Sequence, residues 1–515
     1  MTDDPGGRLA ELTIALSLAT DLGMGQPMAQ GLRTCRLALA AADHLGLDPA
    51  DRSCVYYTAL LRYVGCTSDA SETAALAGGD DLAFFRDMAP VATAGTGEGM
   101  RWFVTHLARD QPLPRRAGRV ARALADPGWE ARSLAGHCEV GARLAARLGL
   151  DEPVREALAH AYERWDGRGA PAGLAGDAVP VAVRVVTVAR DVEVWARGAG
   201  WPEVAGVLAH RRGRAYDPAV ADAFATEGER WLAEIGDDPG AGILDAEPAP
   251  HRTIGDDAVD GALAAVADYA DLKSPWLRGH SPGVAALAAG AAEAAGLPDA
   301  DARLVRRAAL VHDVGRVGVP SGIWDHPGPL RADQWERVRL HPYLGERVLR
   351  HCTVLAPFAA VASAHHERAD GSGYHRGTGD GLDRAARLLA AGDARHAMTE
   401  DRPHRPALTA DAAAAALRAE AEAGRFRPED VEAVLSAAGD AAGRPRVAHP
   451  AGLTDREVEV LRLIARGHLN KQVAVALGIS PKTVGSHVEH IYAKAGVTTR
   501  AGAILFAMEH GLLVG

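Results

Sequence analysis

The chain has 515 residues and a formal net charge of −11, with 48% hydrophobic but only 5% aromatic residues. This length is too great for one compact core, and about 150 residues per domain is usual, which predicts about three domains. The acidic balance excludes a protein that coats nucleic acid along its whole length, so any DNA contact belongs to one module. Since the apolar residues are mainly Ala, Leu and Val, the composition predicts an all-α fold.

The cysteines and the N-terminus indicate the compartment. Five cysteines are scattered without a CxxC pair, which predicts reduced thiols and no disulfide. The chain starts with the acidic text MTDDPGG, and it contains no run of about 18 apolar residues. These features predict a cytoplasmic protein without a signal peptide or membrane span.

Two segments have the composition of linkers. Gly, Pro and Asp displace the helical pattern in residues 236–260 and 439–452. They divide the chain into three predicted domains, which are residues 1–235, 261–438 and 451–515.

The first two domains share three short blocks in the same order. ALLRYVG matches ALVHDVG, HCEVGAR matches HPYLGER, and ERWDGRG matches ERADGSG (residues 59–65 and 309–315, 137–143 and 341–347, 163–169 and 367–373). The order predicts a duplication with an insertion in the first copy. Two unrelated Ala-rich helical bundles are the alternative.

The second copy carries a cluster of His and Asp residues on apolar helical faces. Its members are His280, His312, Asp313, His341, His365, His366 and Asp393. Any one buried His is more often a hydrogen-bonded core residue than a ligand. Burying all of them without partners would cost several kcal/mol per ionised group, whereas a metal pair satisfies them together. Imidazole and carboxylate without thiolate favour Fe, Mn or Zn, and two such ions are suited to attack on a phosphodiester.

The order H…HD…H…HH…D, with the text HDVGRVGVPSGIWDHPGPL, HPYLGERVL, HHERADGSGYHRG and RLLAAGD, resembles the HD-GYP family of cyclic di-GMP phosphodiesterases. The resemblance extends from about His280 to Val434. It implies two divalent transition-metal ions, Fe or Mn, and a cyclic dinucleotide substrate. One ion would be held by His280, His312, Asp313 and Asp393, and the other by His341, His365 and His366. Asp313 would bridge them, with a bridging hydroxide as the nucleophile.

Three positions depart from the family pattern. Arg316 stands where the family has a Lys that contacts substrate phosphate, so we assign it a catalytic role beside Asp313. The GYP signature ends in His375 instead of Pro, and Trp276 replaces a Glu that binds a third metal in some members. These differences favour a two-metal site and leave the substrate less certain than the metals.

The loop after His366 is a candidate for substrate contact. Its residues Asp370, Gly373 and Tyr374 are expected to frame the mouth of the pocket. A plain tight turn is the alternative, since Asp and Gly dominate turns for conformational reasons alone.

The first copy has lost most of the ligands. The aligned positions hold Gln30, Arg62, Tyr63, Ala161 and Tyr162, and only His137 and Asp191 remain. Two such groups cannot hold a metal pair, so the copy is predicted to be a pseudo-enzyme. A role as scaffold or dimer surface and a sensory role are equally open.

The C-terminal module has the helix signals of a helix-turn-helix. Thr454 and Glu457 form a capping box, Gly478 predicts a turn, and Ser480-Pro481 predicts a helix start. A protein-docking module with three or four helices would share these signals.

The texts LTDREVEVLRLIARG and LGISPKTVGSHVEHIYAKAGV resemble the LuxR-type (GerE-type) DNA-binding domain. The resemblance implies four helices, with a recognition helix from Pro481 to Lys494. Residues nearest the major groove would be Lys482, Thr483, Val484 and His487. Contacts to phosphate would come from Lys471, Lys494 and Arg500.

The leading hypothesis is a bacterial signalling protein with tandem HD-type helical bundles and a C-terminal four-helix module. It would hydrolyse a cyclic dinucleotide, first of all cyclic di-GMP, and bind double-stranded DNA to regulate transcription. One alternative is a transcription factor that senses a nucleotide without hydrolysing it, and another is a phosphohydrolase for a different nucleotide. No membrane partner is expected, and LuxR-type modules favour a homodimer on two half-sites.

Overall fold

The computed structural model describes residues 7–109, 111–126, 128–236, 238–441 and 449–513. Within these ranges the chain is built from α-helices and short 3-10 turns, and only isolated β-bridges occur. The all-α prediction is therefore confirmed. The chain forms two compact units that divide between Ala258 and Val259, here called the first unit and the second unit.

In its described residues, the first unit contains twelve α-helices. They are α1 (Leu9–Gly23), α2 (Gln30–His44), α3 (Pro49–Leu61), α4 (Ala70–Ala77), α5 (Asp81–Met88), α6 (Thr96–His106), α7 (Leu113–Leu124), α8 (Trp129–Arg147), α9 (Glu152–Ala159), α10 (Val181–Ala199), α11 (Trp201–Arg211) and α12 (Pro218–Ile235). A 3-10 turn, Cys66–Asp69, follows α3.

The second unit contains a larger bundle and a smaller one. The larger bundle comprises α13 (Asp256–Asp271), α14 (His280–Ala294), α15 (Asp299–Val311), α16 (Ser321–Trp324), α17 (Ala332–Arg339), α18 (His341–Leu349), α19 (Ala356–Ser363), α20 (Arg384–Met398), α21 (Ala410–Glu422) and α22 (Pro428–Ala441). The smaller bundle comprises α23 (Asp455–Ala465), α24 (Asn470–Leu477), α25 (Pro481–Ala495) and α26 (Arg500–Glu509). A 3-10 turn, Val314–Gly318, follows α15.

The predicted duplication is visible in the backbone. Helices α2 and α14 each follow a residue in the left-handed region, Ala29 with φ 74° and Gly279 with φ 83°. After α3 and α15 the chain packs closely on a later helix. A Cβ on Gly65 would lie 2.0 Å from the carbonyl oxygen of His137, and a Cβ on Gly315 equally close to that of His341. Glycine is required at both places because any side chain would clash with backbone.

The first predicted linker, residues 236–260, is not a free linker: its central part packs within the first unit, and its end belongs to α13. Ile243 and Glu247 are buried, and Tyr57 donates a hydrogen bond to Glu247 at 2.5 Å. The Glu247 carboxylate also accepts from Nε of Arg8 at 2.9 Å. The sequence interpretation failed here because the turn-rich composition gives no sign of this buried carboxylate. Of the second predicted linker, residues 442–448 lie outside the described residues.

Two further expectations concern thiols and membranes. All five cysteines are buried thiols, and none forms a disulfide in the structure. None of the helices in the described part of the chain combines the length and the apolar character that a bilayer span requires.

Candidate metal centre and DNA-binding module

The larger bundle of the second unit brings the seven predicted ligands together at helix ends. His280 and His341 are the first residues of α14 and α18, His312 is the residue after α15, and Asp393 lies inside α20. Asp313 follows His312 in the chain, and the pair His365-His366 comes shortly after the end of α19. All are buried except His366, which is partly exposed.

The ligands form two groups that meet at Asp313. The ligating atoms of His280, His312 and Asp313 lie within 4.8 Å of one another, and so do those of His341, His365 and His366. One oxygen of Asp313 lies 2.9 Å from Nε2 of His312. Its other oxygen lies 3.4 Å from Nε2 of both His341 and His365. A carboxylate placed in this way faces both groups at once.

Asp393 contacts one histidine of each group. Its oxygens lie 3.1 Å from Nε2 of His280 and 3.8 Å from Nδ1 of His366. Burial alone would raise the pKa of Asp393, but the hydrogen bond from His280 holds it well below its usual value. The side chain is therefore a carboxylate that contacts members of both groups.

The backbone fixes the tautomers of three ligands. His312, His341 and His365 each donate from Nδ1 to the carbonyl three residues earlier, at 2.6 to 2.7 Å. A carbonyl can only accept, so Nδ1 carries the proton and the lone pair of Nε2 points into the site. The Nε2 atoms of His341 and His365 face each other at 3.0 Å, an arrangement that a shared cation would stabilise.

Several site atoms lack hydrogen bonds. Nε2 of His312 and both oxygens of Asp313 make ion-pair contacts, but no hydrogen bond of acceptable geometry within the described part of the chain. Buried polar atoms are normally satisfied, and leaving one without a partner costs about 1–3 kcal/mol. These residues therefore fit a metal centre.

The protonation states of three imidazoles and of Asp313 agree with a role as metal ligands. Burial lowers the pKa of His341, of His366 and of His365, the last to about 4, so these imidazoles are neutral at pH 7. Burial would raise the pKa of Asp313, but Arg316 and His312 hold it well below its usual value. Neutral imidazole and ionised carboxylate are the forms that coordinate a metal.

Arg316 lies against the shared carboxylate. Its Nη2 is 2.8 Å from Oδ2 of Asp313, and its guanidinium stacks 5.3 Å from the ring centre of Trp324. Nε and Nη1 of this buried arginine have no hydrogen-bond partner among the residues described. A permanent cation with unused donors therefore stands beside the ligands.

The candidate substrate loop divides into two parts. The ring of Tyr374 lies 4.7 Å from that of His366, so it belongs to the site. Gly373 packs against the backbone of Arg368, where a Cβ would lie 2.5 Å from the amide nitrogen. Asp370 is exposed and accepts a hydrogen bond from the amide of Ser372 at 2.9 Å, as in an ordinary tight turn. The contacts of Asp370 are therefore those of the tight turn that was the alternative interpretation of this loop.

Sequence analysis missed a carboxylate behind His280. Glu400 lies 2.8 Å from Nδ1 of His280, and Arg402 donates to Glu400 at 2.6 Å. His396 adds a contact of 3.4 Å to Glu400. Burial would lower the pKa of His280, but Glu400 and Asp393 raise it to about 9. The sequence pattern gave no signal for this contact, because α20 ends at Met398 and helical spacing from Asp393 does not extend to Glu400.

The corresponding region of the first unit is filled by cations and phenols. Arg190 donates to Tyr63 at 2.6 Å and to Asp191 at 2.5 Å. Arg211 adds a 2.8 Å contact to Asp191, and His137 pairs with Asp69 at 2.7 Å. In the described part of the first unit, no three His, Cys, Asp or Glu side chains form a metal-sized cluster.

The small bundle has the helix signals that the sequence predicts. Thr454 and Glu457 form the capping box of α23, and Gly478 ends α24 with φ 64°. The hydroxyl of Ser480 accepts from the amide of Thr483 at 3.1 Å and caps α25, with Pro481 at its first position. Lys471 is exposed on α24.

Helix α25 presents a polar face. Lys482 and Thr483 are exposed, and His487 is partly exposed. Val484 is 0% exposed, so its predicted base contact is wrong. Its side chain belongs to the apolar core on the other side of the helix.

The two other predicted phosphate contacts are engaged inside the module. Nζ of Lys494 lies 2.7 Å from Glu457 and 3.0 Å from the carbonyl of Gly452. Arg500 donates to the carbonyls of Ile464 and His468 at 3.0 and 2.6 Å. Both side chains connect their own helices to α23. Their positions in the sequence alone do not predict these contacts.

A short segment before His280 contacts the small bundle. Arg278 donates to the carbonyl of Ala465, at the end of α23. On the other side, Arg402 donates to the carbonyl of Trp276 at 3.2 Å. The segment 274–279 therefore touches both the group behind the metal ligands and the helix-turn-helix.

Comparison with known families agrees with these two sites. The model of the HD domain family matches residues 113–220 and 264–429. The model of bacterial regulatory proteins of the luxR family matches residues 451–507.

Individual relatives are cyclic-dinucleotide enzymes. The 3'3'-cGAMP-specific phosphodiesterase 3 of Vibrio cholerae is 30% identical over 413 residues, which cover 79% of this chain and 90% of that protein. The cyclic di-GMP phosphodiesterase response regulator RpfG of Xanthomonas campestris is 36% identical over 148 residues, 28% of this chain and 39% of that protein. A crystal structure of a cyclic GMP-AMP specific phosphodiesterase of Vibrio cholerae superposes with a TM-score of 0.59 and 25% identity. It covers 84% of this chain and 98% of that one.

These matches define an HD-domain, metal-dependent phosphohydrolase with a LuxR-type helix-turn-helix at its C-terminus. Within that class the chain belongs to the HD-GYP-type phosphodiesterase family.

Glu400 allows a test of the geometry behind His280. We expect Glu400→Ala to weaken metal binding by about 10–100-fold, because a ligand imidazole loses the partner that orients it. Glu400→Gln should restore part of the affinity, since its amide oxygen still accepts from Nδ1. The measurement is a metal titration against a competing chelator, with exposed Glu422→Gln as the matched control. Equal affinities for wild type and Glu400→Ala would contradict this role.

Proposed function

We propose that the second unit hydrolyses a cyclic dinucleotide at a two-metal site and that the C-terminal module binds promoter DNA under its control. The observation that carries the proposal is Asp313, whose two oxygens face two separate groups of ligands. The relatives add the substrate class, since their names specify 3'3'-cGAMP and cyclic di-GMP.

The ligands divide as their contacts indicate. His280, His312 and Asp393 would hold one ion, while His341, His365 and His366 would hold the other, with Asp313 shared. When bound, such a pair lowers the pKa of bridging water and neutralises charge on the phosphate oxygens. The carbonyl hydrogen bonds keep three of the imidazoles in the ligating tautomer throughout.

Arg316 would bind the substrate phosphate. Its Nε and Nη1 have no hydrogen-bond partner among the described residues, and each would donate to a phosphate oxygen. Tyr374, beside His366, would limit the space above the ligands.

A second candidate function is nucleotide sensing without hydrolysis. The contact between Arg316 and Asp313 at 2.8 Å favours it, because this cation competes with a metal for the shared carboxylate. Turnover of cyclic di-GMP, 3'3'-cGAMP and linear nucleotides by the metal-loaded protein separates the candidates. Stoichiometric binding without product would favour the sensor.

Asp313 tests the two-metal assignment. We expect Asp313→Ala to lose both ions and to reduce turnover by more than about 100-fold, since the side chain belongs to both groups. Asp370→Ala is the matched control, because this aspartate is exposed in a turn. Metal content by mass spectrometry and product formation are measured together. A variant that keeps two ions per chain would refute the bridging role.

DNA binding is proposed for the exposed face of α25 and for Lys471. Lys482, Thr483 and His487 are the candidates for base contacts, and the helix has the dimensions of a major-groove reader. Binding to two half-sites would require a homodimer.

Substitutions of two lysines distinguish a role in DNA contact from a role in the stability of the module. We expect Lys482→Ala to change preference among duplexes by about 1–3 kcal/mol without altering thermal stability. Lys494→Ala should destabilise the module by about 1–3 kcal/mol, because it leaves the buried Glu457 without its cation. Binding titrations at several salt concentrations and thermal unfolding measure the two effects. The assignment fails if Lys482→Ala binds every duplex as wild type does.

Coupling between the two functions is proposed to run through the segment 274–279. It contacts Arg402 behind the metal ligands and the end of α23 in the DNA-binding module. Metal occupancy at His280 would thereby bias the position of the helix-turn-helix.

Arg278 tests this coupling. We expect DNA affinity of the wild type to differ at least about fivefold between metal-loaded and chelator-treated protein, a usual size for coupling between sites. In Arg278→Ala the difference should fall below twofold, because the contact to Ala465 is lost. The exposed Arg303→Ala serves as control and should retain it. An unchanged difference in Arg278→Ala would exclude this route.

A further inference from the structure

Cys66 lies in the part of the first unit that corresponds to the metal centre of the second. It begins the 3-10 turn after α3, and the alignment of ALLRYVG with ALVHDVG places it opposite Arg316. Its Sγ lies 3.1 Å from the phenol oxygen of Tyr162 and 3.6 Å from Nδ1 of His137. A thiol that the proposed catalysis does not use is therefore held between a phenol and an imidazole.

A carboxylate in the same turn orients this imidazole. Nε2 of His137 lies 2.7 Å from one oxygen of Asp69, and the hydroxyl of Ser133 donates to the other oxygen. Burial would raise the pKa of Asp69, but His137 holds it below its usual value. Since a carboxylate can only accept, Nε2 carries a proton and Nδ1 is the nitrogen that faces the sulfur. Cys66, His137 and Asp69 thus follow the order of nucleophile, base and orienting carboxylate.

Both neighbours of the sulfur are hydrogen-bond donors at neutral pH. Burial would lower the pKa of His137, but Asp69 and Cys66 raise it well above its usual value, so Nδ1 also carries a proton. Burial raises the pKa of Tyr162, which therefore keeps its proton as well. A sulfur atom that accepts from a charged imidazole and from a phenol is stabilised as the thiolate.

A buried cation beside Tyr162 adds positive charge. Arg62 is 7% exposed, and its guanidinium lies 5.4 Å from the ring centre of Tyr162. Nε and Nη1 of Arg62 have no hydrogen-bond partner among the residues described. Because a buried cation without a counter-charge is costly, an ionised Cys66 next to the same tyrosine would stabilise this region.

Three other cysteines of the first unit have different surroundings. Burial raises the pKa of Cys54 and Cys138 to about 11, and it raises the pKa of Cys35 as well. These side chains therefore remain thiols at pH 7, and a buried thiol is unreactive. They provide internal references for the reactivity of Cys66 within the same chain.

The packing around Cys66 limits which reagent can reach it. Cys66 is 4% exposed and belongs to an apolar cluster. The other buried members of this cluster are Met24, Phe84, Phe85 and Leu107. Trp102 of α6 and Val120 of α7 pack on the cluster and are themselves partly exposed to solvent. Such a covering excludes a large substrate and favours a small, uncharged molecule, and hydrogen peroxide meets both conditions.

We propose that Cys66 is a redox modification site, at which hydrogen peroxide oxidises the thiolate held by His137 and Tyr162 to a sulfenic acid. The sulfur attacks one peroxide oxygen, so an S–O bond forms while the O–O bond breaks. The sulfur thereby gives two electrons to the peroxide. The departing hydroxide takes the Nδ1 proton of His137 and leaves as water. This site would give the first copy a sensory role.

The test is oxidation of the reduced full-length chain by hydrogen peroxide, followed at each cysteine by mass spectrometry. A chelator is present throughout, because iron at the metal centre would also react with peroxide. At pH 7 we expect Cys66 to gain one oxygen at least about tenfold faster than Cys54 or Cys138, and dithiothreitol should remove that oxygen. Equal rates at the three cysteines, or no reversible oxidation of Cys66, would overturn the proposal.

Two variants test the surroundings of the sulfur. His137→Gln and Tyr162→Phe should each slow the oxidation of Cys66 at pH 7 by at least about fivefold. Between pH 7 and about 9 the rate of His137→Gln should rise, because its thiol has to ionise unaided, whereas the wild-type rate should change little. The exposed His210→Gln is the matched control and should react as wild type does.

The other cysteines report on the fold of each variant. If His137→Gln opened the structure, all cysteines would be oxidised faster, and the conservative Tyr162→Phe would then decide. Wild-type rates of Cys66 oxidation at pH 7 in both variants would overturn the proposal. Hydrolysis and DNA binding do not enter these measurements, so their outcome is independent of the proposed catalytic function.

Discussion

The metal centre depends on hydrogen bonds between imidazole Nδ1 atoms and backbone carbonyls at helix termini. His312, His341 and His365 each bond to the carbonyl three residues earlier, so helix geometry itself orients the Nε2 lone pairs. These three histidines lie at or just beyond helix ends, whereas Asp393 lies inside α20. The close packing at Gly315 holds the turn after α15 against α18.

Sequence periodicity predicted that His312, His365 and Asp393 lie on inward faces, because apolar residues stand one helical turn away, whereas the assignment of a ligand set came from the family resemblance. It could not give the partners of these ligands. Glu400 reaches His280 only after α20 has ended, and its role depends on Arg402 in the following loop. Likewise, Lys494 has the composition of a phosphate contact, and only the fold shows its pairing with Glu457. Pattern identifies a buried face, whereas tertiary contacts decide which charges remain available.

Arg316 and the segment before His280 connect the chemistry with its surroundings. The guanidinium of Arg316 contacts the shared carboxylate, so a cation of the protein balances part of the negative charge of Asp313. Arg278, two residues before His280, contacts the DNA-binding module. The segment 274–279 thus contacts the surroundings of both sites, and the proposed coupling rests on these contacts.

In the first unit, the negative charge of a buried carboxylate is compensated in another way. Asp191 is neutralised by Arg190 and Arg211, with Tyr216 donating at 2.5 Å, so its compensating charges are covalently part of the chain. Among the residues that the structure describes, the ion-pair contacts of Asp393 in the second unit are to imidazoles, whose charge depends on protons or metal. The two halves of one duplicated fold therefore differ in the source of their compensating charge. The first carries its cations as covalent arginine side chains, whereas the charge balance of the second changes with the protons or metal that its imidazoles bind.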